Sequence, residues 1–359
     1  MSIICVDAVG GDEALDKVLE GCERALEQSP QLSIVLCGPK ELIEDFAQRH
    51  ERVEAVFCSE RIEMADHPVQ AVKTKKDSSI VRAAHLLKEG KAQGFFSAGS
   101  TGAILAAATL ITGRIKGVKR PAITMALPLE RPLVFCDLGA NADCKAEYLY
   151  HFARMATLYS QIALGCSKPQ LGLLNNGAEE TKGSSFAQEC NSYLKEHLPN
   201  FAGNAEPTDL FSQSFDIIVS DGFTGNICLK TIESTAKFLM LNLKNQFMSS
   251  LLSKLAALIM KKKLSKLKAL LSADTYGGAL LLGIKAPVLI GHGHTSAQAV
   301  CAGILETQRL VECKLVESIA QEFEELRLKE SGLEQHKSGE SQLEQHKAED
   351  HSTGESKHV

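Results

Sequence analysis

Two periods of apolar and polar positions run through the chain, and they alternate. Short apolar runs at residues 3–6, 32–37 and 53–57 have the length and composition of buried strands. Between the first two, Ala14, Val18, Leu19, Cys22, Ala25 and Leu26 recur at helical spacing, and residues 41–49 form a second helical pattern. The same alternation continues, with strands predicted at 94–97, 121–127, 133–136, 170–174, 217–219 and 288–290. Helices are predicted at 79–87, 103–111, 145–164, 185–194, 227–247 and 297–326, and residues 66–77 read as a polar loop. Strands that alternate with helices imply parallel βαβ units. The expected fold class is therefore α/β, a doubly wound Rossmann-like αβα sandwich.

Two segments depart from this rhythm. In residues 247–271, Met248, Leu251, Leu252, Leu255, Leu258 and Ile259 share one helical face, and six lysines between Lys254 and Lys268 supply a basic counterpart. Such a helix either packs in a dimer or lies on an anionic membrane with its leucines in the interface. From Ser331 the chain repeats Leu-Glu-Gln-His-Lys and has almost no bulky apolar residues. A single α/β domain over 1–328 and a disordered tail over 329–359 are expected.

The candidate chemistry lies where strands end. Ile217-Ile218-Val219 runs into Ser220-Asp221-Gly222-Phe223-Thr224-Gly225-Asn226, then into a helix. Residues 95–104 follow the same plan: Ser97, Gly99, Thr101, Gly102 and Ile104 recur as Ser220, Gly222, Thr224, Gly225 and Ile227. A glycine turn before a helix aims backbone N–H groups at one point with the positive end of the helix dipole behind them, which suits an anion. Asp7 to Asp12, with Gly10 and Gly11, Asp137 to Asn141 and Gly291 to Ser296 also follow strands. In an open α/β sheet ligands gather beyond the carboxyl ends of the strands, so these five loops are expected along one edge.

Lysines would meet the anion. Lys73, Lys75 and Lys76 sit in the polar loop, and Lys182 follows a strand. Lys230 is expected on the first turn of the helix behind Asn226. Asp221 reads as a helix cap, or as a carboxylate that fixes a lysine or hydroxyl. His292 and His294, one residue apart with no acid nearby, do not form a metal site. No serine, threonine or cysteine is coupled to a base, and Cys144 reads as a packed, inert thiol.

Composition narrows the class. The 359 residues are 44% hydrophobic, which is ordinary for a globular protein. A net charge of -5 and the absence of tryptophan give no pull toward nucleic acid. Eleven cysteines without a Cys-x-x-Cys pair point to a reducing, cytoplasmic setting. No signal peptide and no spanning helix are expected. No Gly-x-Gly-x-x-Gly opens the first βα turn, which argues against a dehydrogenase.

Together, several stretches resemble the bacterial phosphate acyltransferases of phospholipid synthesis. They are Asp7-Ala8-Val9-Gly10-Gly11-Asp12, Lys75 to Ser79, Ser97 to Ala103, Arg120-Pro121-Ala122, Asp137 to Cys144, Ser220 to Lys230, Tyr276-Gly277-Gly278 and Gly291-His292-Gly293. The chain departs from that pattern at Val9, Ser100 and Asn176, where the family has Met, Asn and an apolar residue. The resemblance implies a fold like the phosphate acetyl- and butyryltransferases and the isocitrate dehydrogenase group. It implies transfer of a fatty acyl group from acyl carrier protein to inorganic phosphate, without cofactor or metal. It further implies a homodimer at the inner face of the cell membrane, which hands acyl phosphate to a membrane glycerol-3-phosphate acyltransferase. A coenzyme A-dependent acetyl- or butyryltransferase and a non-catalytic membrane-bound scaffold are the alternatives.

On that basis Lys182 and Lys230 are expected to offset charge on phosphate or oxyanion, beside Asp221 and Asn226. Asp7, Gly10, Gly11, Asp12, Lys76, Ser97, Gly99, Ser100, Thr101, Gly102, Asp137, Asn141, Gly222, Thr224, Gly225 and His292 are expected to surround phosphate and the acyl carbonyl. Leu251, Leu255, Leu258 and Ile259 are expected at the membrane, with the two glycine loops facing one another across one cleft.

Overall fold

The computed structural model describes residues 1–11, 15–270, 277–293 and 296–329. Asp12, Tyr276, His294 and the tail from residue 330 lie outside the described residues, as do the side chains of Lys262, Lys266 and Lys268. The chain runs β1 (Ser2–Asp7), α1 (Leu15–Gln28), β2 (Leu32–Gly38), α2 (Lys40–Arg49), β3 (Val53–Phe57), α3 (Pro68–Thr74), α4 (Ser79–Lys88), β4 (Gly94–Ser97) and α5 (Thr101–Ala107). A π-helical turn, Ala108–Thr112, extends α5. Then come β5 (Ala122–Leu127), β6 (Leu133–Cys136), α6 (Ala146–Ile162), β7 (Leu171–Leu174), α7 (Ser185–His197), β8 (Phe201–Ala205), α8 (Asp209–Ser212) and β9 (Ile217–Val219). The chain continues with α9 (Gly222–Met248), α10 (Leu251–Leu270), β10 (Ala279–Leu282), β11 (Val288–Ile290), α11 (Ala297–Glu312) and α12 (315–329).

The eleven strands among the described residues form one sheet, ordered β3-β2-β1-β4-β11-β10-β5-β6-β9-β7-β8. Side chains alternate across it with the strand period of two. On β5, Ile123, Met125 and Leu127 enter one core, while Ala122 and Ala126 enter the other. On β6, Phe135 joins the first group and Val134 the second. Helices α1, α2, α6, α7, α11 and α12 cover one face, and α3, α4, α5 and α9 the other. Three layers result, the αβα sandwich expected from the sequence.

The sheet is not parallel throughout. β10 runs antiparallel to both β11 and β5, and β5 is antiparallel to β6. β1, β4 and β11 therefore point one way, and β6, β9, β7 and β8 the other. This corrects the expectation of five loops along one edge. The loops after β1, β4 and β11 share an edge, and those after β6 and β9 lie at the opposite one. Each half is wound in parallel by its own βα units, and the antiparallel strands between them reverse the second half.

Four local differences have plain causes. The polar loop contains α3, opened by Pro68 at its first position, where a missing N–H costs nothing. β8 is hidden by Gly203 and Asn204, which are poor strand formers. The last predicted helix breaks at Lys314, whose φ of 55° is left-handed. α9 begins at Gly222, five residues before its predicted start, because Gly222 and Gly225 mask a helical run. Lys230 therefore stands about two turns inside α9, not on its first turn.

Candidate functional site

The two aspartates that end β1 and β6 organise the two edges. Asp7 is buried; its Oδ2 accepts from Ser97 Oγ at 2.7 Å and its Oδ1 from Val9 N at 3.1 Å. Ser97 Oγ in turn accepts from Gly99 N at 3.0 Å. A Cβ on Gly10 would lie 2.7 Å from Asp7 Oδ2 and 2.8 Å from Gly99 N, so only glycine lets the two loops meet. Gly11, at φ 88°, gives its carbonyl to Arg61 Nη2 at 2.9 Å. Burial pushes the Asp7 carboxyl above the usual range, against the pull of its Ser97, Ser79 and Val9 hydrogen bonds.

Asp137 does the same at the other edge with more donors. Its Oδ1 accepts from Ile123 N, Gly139 N and Ala140 N, and its Oδ2 from Asn141 N and Asn141 Nδ2, all between 2.8 and 3.3 Å. Burial raises this carboxyl too, and the hydrogen bonds from Asn141, Ala140 and Ile123 oppose it. Asn141 Nδ2 also donates to Pro121 O, and Gly222 N donates to Asn141 O at 2.7 Å. A Cβ on Gly222 would come within 2.7 Å of Asp137 Oδ2. Both aspartates and Asn141 thus hold loops together from beneath.

The two glycine loops differ at their helix ends. At α9, Asp221 is the cap: its Oδ1 accepts from Thr224 N at 2.8 Å and its Oδ2 from Thr224 Oγ1 at 2.7 Å. Gly225 N donates to Asp221 O, and Gly222 N is held by Asn141. The expected anion cradle at Gly222, Thr224 and Gly225 is therefore closed by the chain's own acceptors, because a capping carboxylate occupies the place an anion would take. At α5, Ser100 is the cap residue but no side chain caps the end. Thr101 is exposed and Gly102 rests against Pro68 of α3. The open helix start is the earlier one.

Opposite edges still reach one pocket, because the strands between them are short. A cavity of about 130 Å³ lies on the sheet face over Ile123 and Met125 of β5. Thr101, Gly277, Gly278, Gly291 and His292 line it from the β4–β11 edge. Leu138 closes it from the β6 edge, and Asn226, Leu229, Lys230 and Glu233 line it from α9. Lys230 Nζ pairs with Glu233 Oε2 at 2.8 Å. Glu233, which the sequence reading missed, follows Lys230 by three residues on α9, the helical spacing at which side chains meet. That spacing was the available signal.

Lys182 lies elsewhere. It is exposed in the loop after β7, against Gly177, and Asn175 Nδ2 donates to its carbonyl. Beside that loop a second cavity of about 680 Å³ opens on the other side of α9, with Asn175, Ser184, Asp221 and Thr224 at its rim. Leu149, Leu174, Cys190, Leu210, Ile227 and Ile232 form its apolar wall. The structure therefore separates the two lysines that were expected to act together. Lys76 is exposed on a turn before α4 and lines neither cavity.

The thiols are not set up to attack. Burial, helped by Asp137, pushes Cys144 up to about 12, so it stays protonated at neutral pH. Among the described residues no cluster of His, Cys, Asp and Glu could hold a metal ion. The proposed membrane positions are open: Leu251, Leu255, Leu258 and Ile259 are 57–85% exposed on α10. No described helix is long and apolar enough to cross a membrane.

Comparison with known proteins adds a family and a fold. The profile of a family described as fatty acid synthesis protein matches residues 2–318. A phosphate acyltransferase of Bacillus cytotoxicus is 41% identical over 323 residues, covering 89% of this chain and 98% of that relative. One of Lysinibacillus sphaericus is 42% identical over 320 residues, covering 89% and 97%. Among solved structures, phosphotransacetylases from Staphylococcus aureus and Streptococcus pyogenes are similar in fold. Their TM-scores are 0.52 and 0.53; each is 16% identical and covers 86% of this chain and 94% of the other.

Proposed function

This chain belongs to the phosphate acyltransferase family, and from that premise we propose that it moves a fatty acyl group from acyl carrier protein to inorganic phosphate. The acyl phosphate made would serve phospholipid synthesis. One observation carries the reading: the small cavity joins the Lys230 ammonium to the uncapped start of α5. A helix start and a lysine are complementary donors for an oxyanion. Phosphate is itself the nucleophile, so the inert Cys144 is no obstacle.

The chemistry balances without a protein nucleophile. A phosphate oxygen forms the new P–O–C bond at the thioester carbonyl, the C–S bond breaks, and the departing sulfur takes a proton as free thiol. Lys230, with Thr101 at the head of α5, would hold phosphate at attack distance and offset charge on the oxyanion. Asp7 and Asp137 act beneath, by fixing the loops that carry these donors. Asn226, on the Lys230 side of α9, faces the same cavity.

The apolar wall of the larger cavity supports a long-chain donor over an acetyl one. The exposed leucines of α10 support peripheral contact with the inner face of the cell membrane, where a membrane glycerol-3-phosphate acyltransferase would take the product. The apolar stripe Phe223, Ile227, Phe238 and Leu241 on α9, exposed in one protomer, supports a homodimer. One continuous sheet supports a single domain over 1–328. The deciding assay measures thiol release from purified protein with phosphate and, in turn, long-chain acyl carrier protein, long-chain acyl-coenzyme A and acetyl-coenzyme A. Phosphate-dependent release fastest from the carrier protein is expected. Release only from acetyl-coenzyme A would favour the coenzyme A reading, and none from any donor would leave the scaffold.

A further inference from the structure

Glu233 is a misfit in an anion pocket. A carboxylate beside the place for phosphate repels it, yet Glu233 lines the same 130 Å³ cavity as Lys230 and holds its ammonium at 2.8 Å. Its side chain is 28% exposed, against 58% for Lys230, so it is the more enclosed of the pair. An ionised carboxylate only accepts hydrogen bonds. It tolerates an anion that brings a proton and rejects one that brings none. Near neutral pH inorganic phosphate keeps at least one P–OH, while sulfate, of the same shape, keeps none.

Building on the phosphate reading of this cavity, we propose that Glu233 accepts the P–OH of bound phosphate and so makes the site select protonated tetrahedral oxyanions over sulfate. Lys230 and the start of α5 supply attraction common to both anions. Glu233 supplies the difference, because against sulfate it faces an oxygen with no proton to share. Selectivity of this kind comes from penalising the wrong ligand rather than tightening the right one. Lys230 stays oriented in either case, since the pair is made along one helix.

The test uses sulfate as inhibitor of phosphate-dependent thiol release, with ionic strength matched by chloride. In the wild type, sulfate should compete poorly while arsenate, which carries an As–OH, should replace phosphate. In Glu233→Gln the sulfate inhibition constant should fall by about tenfold or more while the KM for phosphate moves far less. Glu233→Asp, which keeps the charge, should keep the preference. Equal competition by sulfate and arsenate in the wild type, or an unchanged ratio in Glu233→Gln, overturns the proposal. Thermal shifts of the wild type with phosphate, arsenate and sulfate read the same preference without turnover. Loss of all thiol release therefore counts against the proposed reaction, and loss of the anion preference counts against Glu233.

Discussion

Lys230 and His151 show how burial and partners give single residues opposite duties. Lys230 is a cation lining the small cavity, on α9 and half exposed. Its removal takes one charge-stabilising group from the proposed transition state, which typically costs about 10²–10³ in rate. Lys230→Ala should cut thiol release by that order with an unchanged melting temperature; wild-type turnover would take Lys230 out of the site. His151 is a packing residue. It is buried with its ring edge against Phe323, and its Nδ1 accepts from Lys119 N at 3.3 Å, which fits the neutral ring. Burial holds its folded pKa at about 4, against 6.5 for the free side chain. The folded value is the lower, so the unfolded chain binds the extra proton. Stability from the neutral ring is complete above about pH 6.5 and is lost as pH falls toward 4, on the order of 3 kcal/mol across the window. His151→Gln should flatten the pH dependence of chemical denaturation in that range, whereas an unchanged slope would assign the acid sensitivity to other groups.

Among the elements, the α9–α10 hairpin carries the clearest expectation. Met240, Leu243, Phe247 and Leu264 line a small apolar gap between the two helices, while Leu251 and Leu255 face outward. Leu251→Glu with Leu255→Glu should release the protein from anionic liposomes and leave thiol release in solution intact. Splitting of a dimer or precipitation would show that this face packs against protein instead. The sequence disclosed most strands and helices because burial is periodic: Ile123, Met125 and Leu127 alternate with Ala122 and Ala126. It concealed the start of α9 because Gly222 and Gly225, weak helix formers, are needed where Asp137 and Asn141 press on that turn. It showed two like loops at Ser97 and Ser220, with Asp221 as a cap for the later one, but not that Asn141 closes that loop from the neighbouring turn. The Asp221 cap spans only three residues and is legible locally, but closure by Asn141 depends on a hydrogen bond between loops about 80 residues apart, which no local pattern encodes. Strand direction was equally hidden, since an apolar run reads alike both ways.

At the scale of the whole molecule, the family match ends at residue 318 and α12 is described to residue 329. A chain ending at Lys329 should therefore keep its melting temperature and its thiol release; loss of either would give the last thirty residues, 330–359, a role in the fold or the site. Opposed halves of one sheet also explain how two edges serve one cavity: β10 and β11 are four and three residues long, so the loops at their ends are only about 10–13 Å apart. α9 crosses that face and then continues beyond it to Met248. From Lys230 to Met248 the helix rises about 27 Å. A single unbroken helix thus joins Lys230 to the hairpin tip. If the tip rests on lipid, the helix acts as a spacer of fixed height, and the cavity proposed to bind phosphate sits at a set clearance above the bilayer. Lengthening α9 by two turns would raise that clearance while leaving the cavity's own chemistry untouched.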